Sequence, residues 1–168
     1  MRAATGRAWV FGDDIDTDVL APGIYMKGPI EEMTPHCLEA VDPEFAAGVE
    51  AGDVVVAGRN FGMGSSREQA VLVLRDLGVA AVVARSFAGI FFRNALNLGL
   101  PALACAEAGR IGAGHRLTVD AEAGDIQNLT TGGRYACEGI PEHLLEMVRD
   151  GGLVPHLAKR RGAQGGRG

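Results

Sequence analysis

Residues 58–69 read GRNFGMGSSREQ and collect the groups that could do chemistry in this chain. Gly62 and Gly64 permit positive φ and let a ligand approach the backbone closely. Ser65 stands three residues before Glu68, the spacing of a capping box at a helix start. The N–H groups of such a start point outward with the positive end of the helix dipole behind them, which favours an anion. Arg67 adds a planar fork that fits a carboxylate or a phosphate. Capping boxes also open many helices that bind nothing, so the spacing alone leaves a plain structural cap and an anion site both open. A nucleotide is disfavoured, because GxxxxGK[ST] and its phosphate-reaching lysine are absent.

A second cluster, GDDIDTDVLAPGIYMKG at residues 12–28, places four aspartates within six positions. Asp14, Asp16 and Asp18 alternate as in a calcium loop, but the glycine and terminal glutamate such a loop needs are missing at their offsets. On residue types alone this is a turn after a strand, with aspartates bonding nearby backbone.

The elements that must position these clusters alternate along the chain. AWVFG (8–12) and DVVVAG (53–58) read as strands, the second nearly all apolar, as a strand buried on both faces should be. Ser66 to Leu77 has helical spacing, with Ala70, Val73, Leu74 and Leu77 on one face. VAAVVARS (79–86) reads as the next buried strand, and SFAGIFFRNALNLGLP as a helix stopped by Gly99 and Pro101. RLTVD (116–120) is a strand near an edge, and PEHLLEMVRDGG a helix with proline early and glycines at its end. Strand, glycine turn, helix and strand over 53–86 form a βαβ crossover, which demands a parallel pair covered by helices. The expectation is one α/β domain over residues 1–157.

Composition narrows the classes further. Of 168 residues, 47% are hydrophobic, 22% charged and only 5% aromatic, so the chain is an ordinary globular protein without a base-stacking surface. Residues 158–168, AKRRGAQGGRG, hold four of the 16 basic residues and none of the 21 acidic ones, which leaves a net −9 on the rest. That acidic body argues against nucleic acid as a partner, and the basic glycine-rich tail is expected to be disordered. Cys37, Cys105 and Cys137 are widely spaced, so no zinc site or iron–sulfur ligand set can be read from them. With no secretory signal and no apolar run long enough for a membrane span, a cytoplasmic protein is expected.

Together GDDIDTDVLAPGIY, VVVAGRNFGMGSSREQA and VVARSFAGIFFRNALNLGLP resemble the small subunits of aconitase-type hydro-lyases. The likeness is greatest to the short, archaeal-type 3-isopropylmalate dehydratase small subunits. It runs from about Trp9 to Leu103 and more weakly to the C-terminal helix. The resemblance implies a single swivelling β/β/α three-layer domain and a large partner subunit, in a heterodimer or heterotetramer. It also implies that the partner carries a [4Fe–4S] cluster, with no metal held by this chain. The reaction implied is removal of water from a 2-hydroxy acid and its return at the neighbouring carbon.

Residue by residue, the resemblance implies Ser65 as the base, working as an alkoxide that N–H donors stabilise. Asp18 matches an aspartate that orients a partner histidine or helps move protons. Ser66 and Arg67 match residues that bind substrate carboxylate. Tyr25, Lys27 and Gly28 match the segment that meets the variable part of the substrate. Lys27 keeps a positive charge without the bidentate fork, and Gly28 lacks a side chain to shape an isopropyl pocket. The resemblance implies isopropylmalate, in leucine biosynthesis, as the leading substrate, and these departures keep homoaconitate, 2,3-dimethylmalate and citramalate as alternatives within the reaction class. A non-catalytic dicarboxylate-binding module on the same fold is the alternative outside it.

Overall fold

The structure, a computed structural model, describes residues 3–165. Strand β1 (Ala4–Val10) is followed by three one-turn helices, α1 (Thr17–Leu20), α2 (Ile30–Met33) and α3 (Phe45–Gly48). Then come β2 (Val54–Ala57), α4 (Gln69–Asp76), β3 (Ala81–Ala84), α5 (Gly89–Asn97) and β4 (Ala102–Ala104). Strands β5 (Arg116–Asp120), β6 (Asp125–Asn128) and β7 (Arg134–Ala136) precede α6 (Glu142–Arg149) and α7 (Leu153–Gly165).

All seven strands join one sheet in the order β4-β3-β2-β1-β5-β6-β7. The pairs β1–β2, β2–β3 and β3–β4 are parallel, whereas β1–β5, β5–β6 and β6–β7 are antiparallel. The expected crossover is present, with Val54 opposite Ala81 and Val56 opposite Val83.

Every residue of β2 and β3 is buried, because each face of this half meets its own core. Val55, Ala57, Val82 and Ala84 pack with Ala70, Val71, Val73 and Leu74 of α4 and with Phe45 and Phe61. Val54, Val56, Ala81 and Val83 pack instead with Leu117, Val119, Ile126 and Tyr135 of the antiparallel half and with Leu145, Met147 and Val148 of α6. Helices, parallel strands and antiparallel strands thus form three layers, the β/β/α arrangement expected. The continuous sheet curls into a half-barrel, and just past its outer strands Glu138 N–H donates to the Ala104 carbonyl at 2.8 Å.

Several boundaries differ from the sequence expectation. β1 starts four residues earlier than Ala8, because residues 4–7 pair with β5 and alternate in burial rather than forming an apolar run. The edge strands β4 and β7, and β6 beside the latter, are three or four residues long and carry no extended apolar run. Residues expected as a disordered tail are helical as far as Gly165, because α7 continues through Lys159, Arg160 and Arg161. The remainder of that tail, 166–168, lies outside the described residues.

Asp53 fastens β1 to the start of β2. It is only 4% exposed. Its carboxylate accepts from the Arg7 N–H at 3.0 Å, the Trp9 indole Nε1 at 3.0 Å and the Glu50 N–H at 2.9 Å. Burial pushes the carboxyl up, but these donors and the nearby Arg7 charge outweigh it and hold it below the ordinary aspartate value. The charged form therefore stabilises the fold fully above the unfolded value of about 3.9 and loses that contribution as pH falls through the lower folded value. Asp53→Asn turns one acceptor into a donor facing donors and is expected to cost about 1–3 kcal/mol. Urea unfolding should show a lower midpoint for the variant at pH 7, with the gap to wild type narrowing below pH ~4. An unchanged midpoint at pH 7 would contradict this role.

Candidate active site

The parallel strands β1, β2 and β3 all end on one edge of the sheet, so the segments that follow them emerge side by side. Their pairing continues beyond the strands in broken form. Phe11 N–H donates to Val56 O at 2.8 Å and Asp14 N–H to Arg59 O at 2.8 Å. Gly62 N–H then reaches Ile15 O at 2.7 Å, and Thr17 N–H reaches Met63 O at 2.9 Å. On the other side Phe61 N–H donates to Ser86 O at 3.1 Å and Ala88 N–H to Phe61 O at 3.0 Å.

Side chains complete the weave, with Asp13 accepting from Arg59 N–H at 2.7 Å and Ser86 Oγ from Asn60 N–H at 2.8 Å. Asp14 and Asn60 adopt left-handed φ of 57° and 60°, a conformation these two residue types tolerate. Gly62, at φ +84°, sits so close to Phe91 that a Cβ would lie 2.2 Å from its ring. No other residue fits there.

The GSSRE loop does not form the expected capping box. Helix α4 begins at Gln69 with Glu68 as its N-cap and no side-chain cap, so Ser65 lies a full turn ahead of the helix. The Ser65 carbonyl, rather than its hydroxyl, is engaged: it accepts from Thr17 Oγ1 at 2.8 Å and from Arg67 N–H at 2.8 Å. Both Ser65 and Ser66 are exposed. Among the described residues the Ser65 hydroxyl and the Ser66 and Glu68 N–H groups have no partner. The loop therefore carries an exposed hydroxyl beside backbone donors that no acceptor among the described residues takes up.

Asp18 and Arg67 meet. Arg67 Nη1 donates to Asp18 Oδ1 at 2.6 Å and to the Ala21 carbonyl at 3.1 Å. Gly23 N–H donates to the same Asp18 oxygen at 3.0 Å. The Arg67 hydrogen bond, helped by Gly23, holds the Asp18 carboxyl below the usual range against a slight opposing desolvation. Asp16, immediately before α1, accepts from Val19 N–H at 2.8 Å, so each residue of Asp16-Thr17-Asp18 has a distinct task.

Tyr25 belongs to a 3₁₀ turn, Gly23–Tyr25, whose first residue lies against the Asp18–Arg67 pair. Its ring stacks on His36 at 3.9 Å between centroids, so it is a packing residue as well as a site neighbour. Lys27 and Gly28 are exposed. A Cβ at Gly28 would meet Glu32 Oε2 at 2.6 Å, so a carboxylate stands where a pocket-forming side chain would extend. The residues that sequence reasoning passed over are Thr17, Gly23 and Asn60. Only the hydroxyl between two aspartates in DIDTD signalled the first of them.

Comparison with known proteins places this geometry in a class. Residues 22–108 match the aconitase C-terminal domain family, and the chain belongs to it. Its relatives within that family include "3-isopropylmalate dehydratase small subunit 1" of Archaeoglobus fulgidus, 52% identical over 89% of this chain and 93% of its own length. The protein of the same name from Thermotoga maritima is 47% identical over 92% of this chain and 94% of its own. The "methanogen homoaconitase small subunit" of Methanothermobacter thermautotrophicus is 45% identical over 92% and 90%. A crystal structure of 3-isopropylmalate dehydratase from Methanocaldococcus jannaschii superimposes with a TM-score of 0.94 at 40% identity, covering 99% of both chains.

The Asp18–Arg67 contact has a direct spectroscopic consequence. Followed by carboxyl ¹³C shifts in the isolated chain, Asp18 should titrate below the ordinary value of about 3.9. Arg67→Ala should bring it back up toward that value. An Asp18 titration that ignores the loss of Arg67 would mean the pair does not form in solution.

Proposed function

We propose that this chain is the small subunit of a hydro-lyase that interconverts 2-isopropylmalate and 3-isopropylmalate by dehydration and rehydration in leucine biosynthesis. The observation that carries the reading is the Ser65 hydroxyl, exposed on a loop whose backbone is fixed from beneath and which leads directly to Arg67. Removal of a proton next to a carboxylate needs a base and a means of holding the carboxylate's charge. Ser65 supplies the base as an alkoxide, stabilised by free N–H donors in a site from which the bound complex excludes water. Arg67, with one edge on Asp18, offers its remaining N–H groups to a substrate carboxylate, and Ser66 adds a hydroxyl. Asp18 keeps the guanidinium in place and takes part in proton movement with a residue of the partner.

The proposed partner is the large subunit, in a heterodimer or heterotetramer, and the [4Fe–4S] cluster is assigned to it. Among the described residues of this chain no three His, Cys, Asp or Glu side chains are placed to hold a metal ion. Cys37 lies in the helical core, while Cys105 and Cys137 lie at the seam of the half-barrel. We place the assembly in the cytoplasm; no helix among the described residues is long and apolar enough to cross a membrane.

Lys27 and Gly28 favour a second reading, with the same chemistry on a malate bearing an anionic or smaller substituent. Homoaconitate is the first example, since a homoaconitase small subunit is among the relatives. The test is anaerobic reconstitution with the cognate large subunit and a panel of malates, following the unsaturated acid by ultraviolet absorbance. Turnover of isopropylmalate supports the first reading, and turnover confined to homoaconitate, 2,3-dimethylmalate or citramalate supports the second. On whichever substrate is accepted, Ser65→Ala should lower kcat by on the order of 10²–10⁴-fold with the complex still assembled. Silence across the panel from an intact, cluster-loaded complex would overturn both.

A further inference from the structure

We infer that Thr17 is a positioning residue for the proposed base, fixing the Ser65–Ser66 peptide so that the Ser66 N–H is presented on the open face of the loop. The inference rests on the reading of Ser65 given above. Thr17 is 3% exposed, lies at the first position of α1 and is held at both ends of its own backbone. Its N–H donates to Met63 O at 2.9 Å, and its carbonyl accepts from Ala21 N–H at 2.8 Å. The side chain, stiff at χ1 as β-branched residues are, is thereby aimed from a fixed platform. Its hydroxyl donates to Ser65 O at 2.8 Å.

The geometry of a trans peptide does the rest. Carbonyl and N–H of one peptide point in opposite directions across its plane. With the Ser65 carbonyl drawn inward onto Thr17, the N–H of Ser66 must point outward. Ser66 is exposed, and that N–H has no acceptor among the described residues. It is one residue from the Ser65 hydroxyl, where a donor lowers the cost of an alkoxide. Were the plane turned over, a carbonyl oxygen would face the developing charge instead, and a stabilising dipole would become a repelling one. Arg67 N–H also holds the Ser65 carbonyl, at 2.8 Å, but from within the same loop. Thr17 is the anchor that comes from another strand end.

Three substitutions in the reconstituted two-subunit enzyme separate the possibilities. Thr17→Val keeps the shape and the backbone bonds but removes the hydroxyl. Thr17→Ser keeps the hydroxyl and removes a methyl. Ser65→Ala is the reference. Thr17→Val should lower kcat by about 10²-fold, the scale of losing one oxyanion donor, with KM changed far less. The alkaline rise in its pH–kcat profile should move to higher pH, because the alkoxide has lost a donor. Thr17→Ser should restore most of kcat and the wild-type profile.

In ¹⁵N spectra of the isolated chain the Ser66 amide should shift in the valine variant and stay near its wild-type position in the serine variant. Wild-type kcat in Thr17→Val, alongside an inactive Ser65→Ala, would overturn the inference while leaving Ser65 as the base. An active Ser65→Ala would overturn the reading beneath it. Should the valine variant fail to fold, a serine variant as impaired in kcat as Ser65→Ala would overturn the positioning role by itself.

Discussion

The parallel pairing of β1 with β2 is the constraint on which the rest of the site depends. Neither following segment has enough regular structure to hold itself: α1 is one turn long, and residues 58–68 form no helix or strand. Each is fixed only because the register Ala8–Val54, Trp9–Val55, Val10–Val56 brings the two chains out of the sheet in step. The same spacing then recurs as Gly62 N–H to Ile15 O at 2.7 Å and Thr17 N–H to Met63 O at 2.9 Å. Shifting that register by one residue would turn every valine of β2 onto the wrong core and would separate Asp18 from Arg67.

The two-sided core makes such a shift costly. Val55 and Val54 are both 0% exposed yet serve opposite layers, so β2 has no face that could accept a polar neighbour. Fully burying one such side chain contributes roughly 1.5–3 kcal/mol, and several are at stake in the central strands alone. Asp53 adds a polar lock at the entry to β2, where three donors converge on one buried carboxylate. A rigid platform of this kind suits the role proposed for Ser65, in which a weakly acidic hydroxyl stays close to its donors without reorganising during the reaction.

The sequence made some of this legible and hid the rest for physical reasons. β2 and β3 announced themselves, because strands buried on both faces must be continuous apolar runs. The likeness of GDDIDTD, GSSRE and SFAGIFF to one family in one order marks GSSRE as the candidate site, whereas its spacing alone leaves a plain cap and an anion site both open. The cap itself was wrong: Ser65 sits too far ahead of Gln69, and the competing hydrogen bond from Thr17 takes the Ser65 carbonyl. Local patterns describe bonds between near neighbours, whereas Thr17 and Ser65 are 48 residues apart. The short strands β6 and β7 were likewise hidden, since DIQN and RYA gain their identity from pairing, not from their own propensity. Helix α7 was mistaken for a tail because its basic, glycine-containing sequence has little apolar face to mark it.

Native-state hydrogen exchange at Gly62 and Thr17 in the isolated chain tests most directly whether the sheet holds the site loops ready before any partner or substrate binds. These two amides donate across the loops to Ile15 and Met63. The account predicts that both exchange with protection comparable to Val55 and Val56 in β2, because opening them requires parting β1 from β2. Exchange at the rate of open loop amides, with β2 still protected, would show that the loops are ordered only on assembly. The sheet would then not be what positions Ser65.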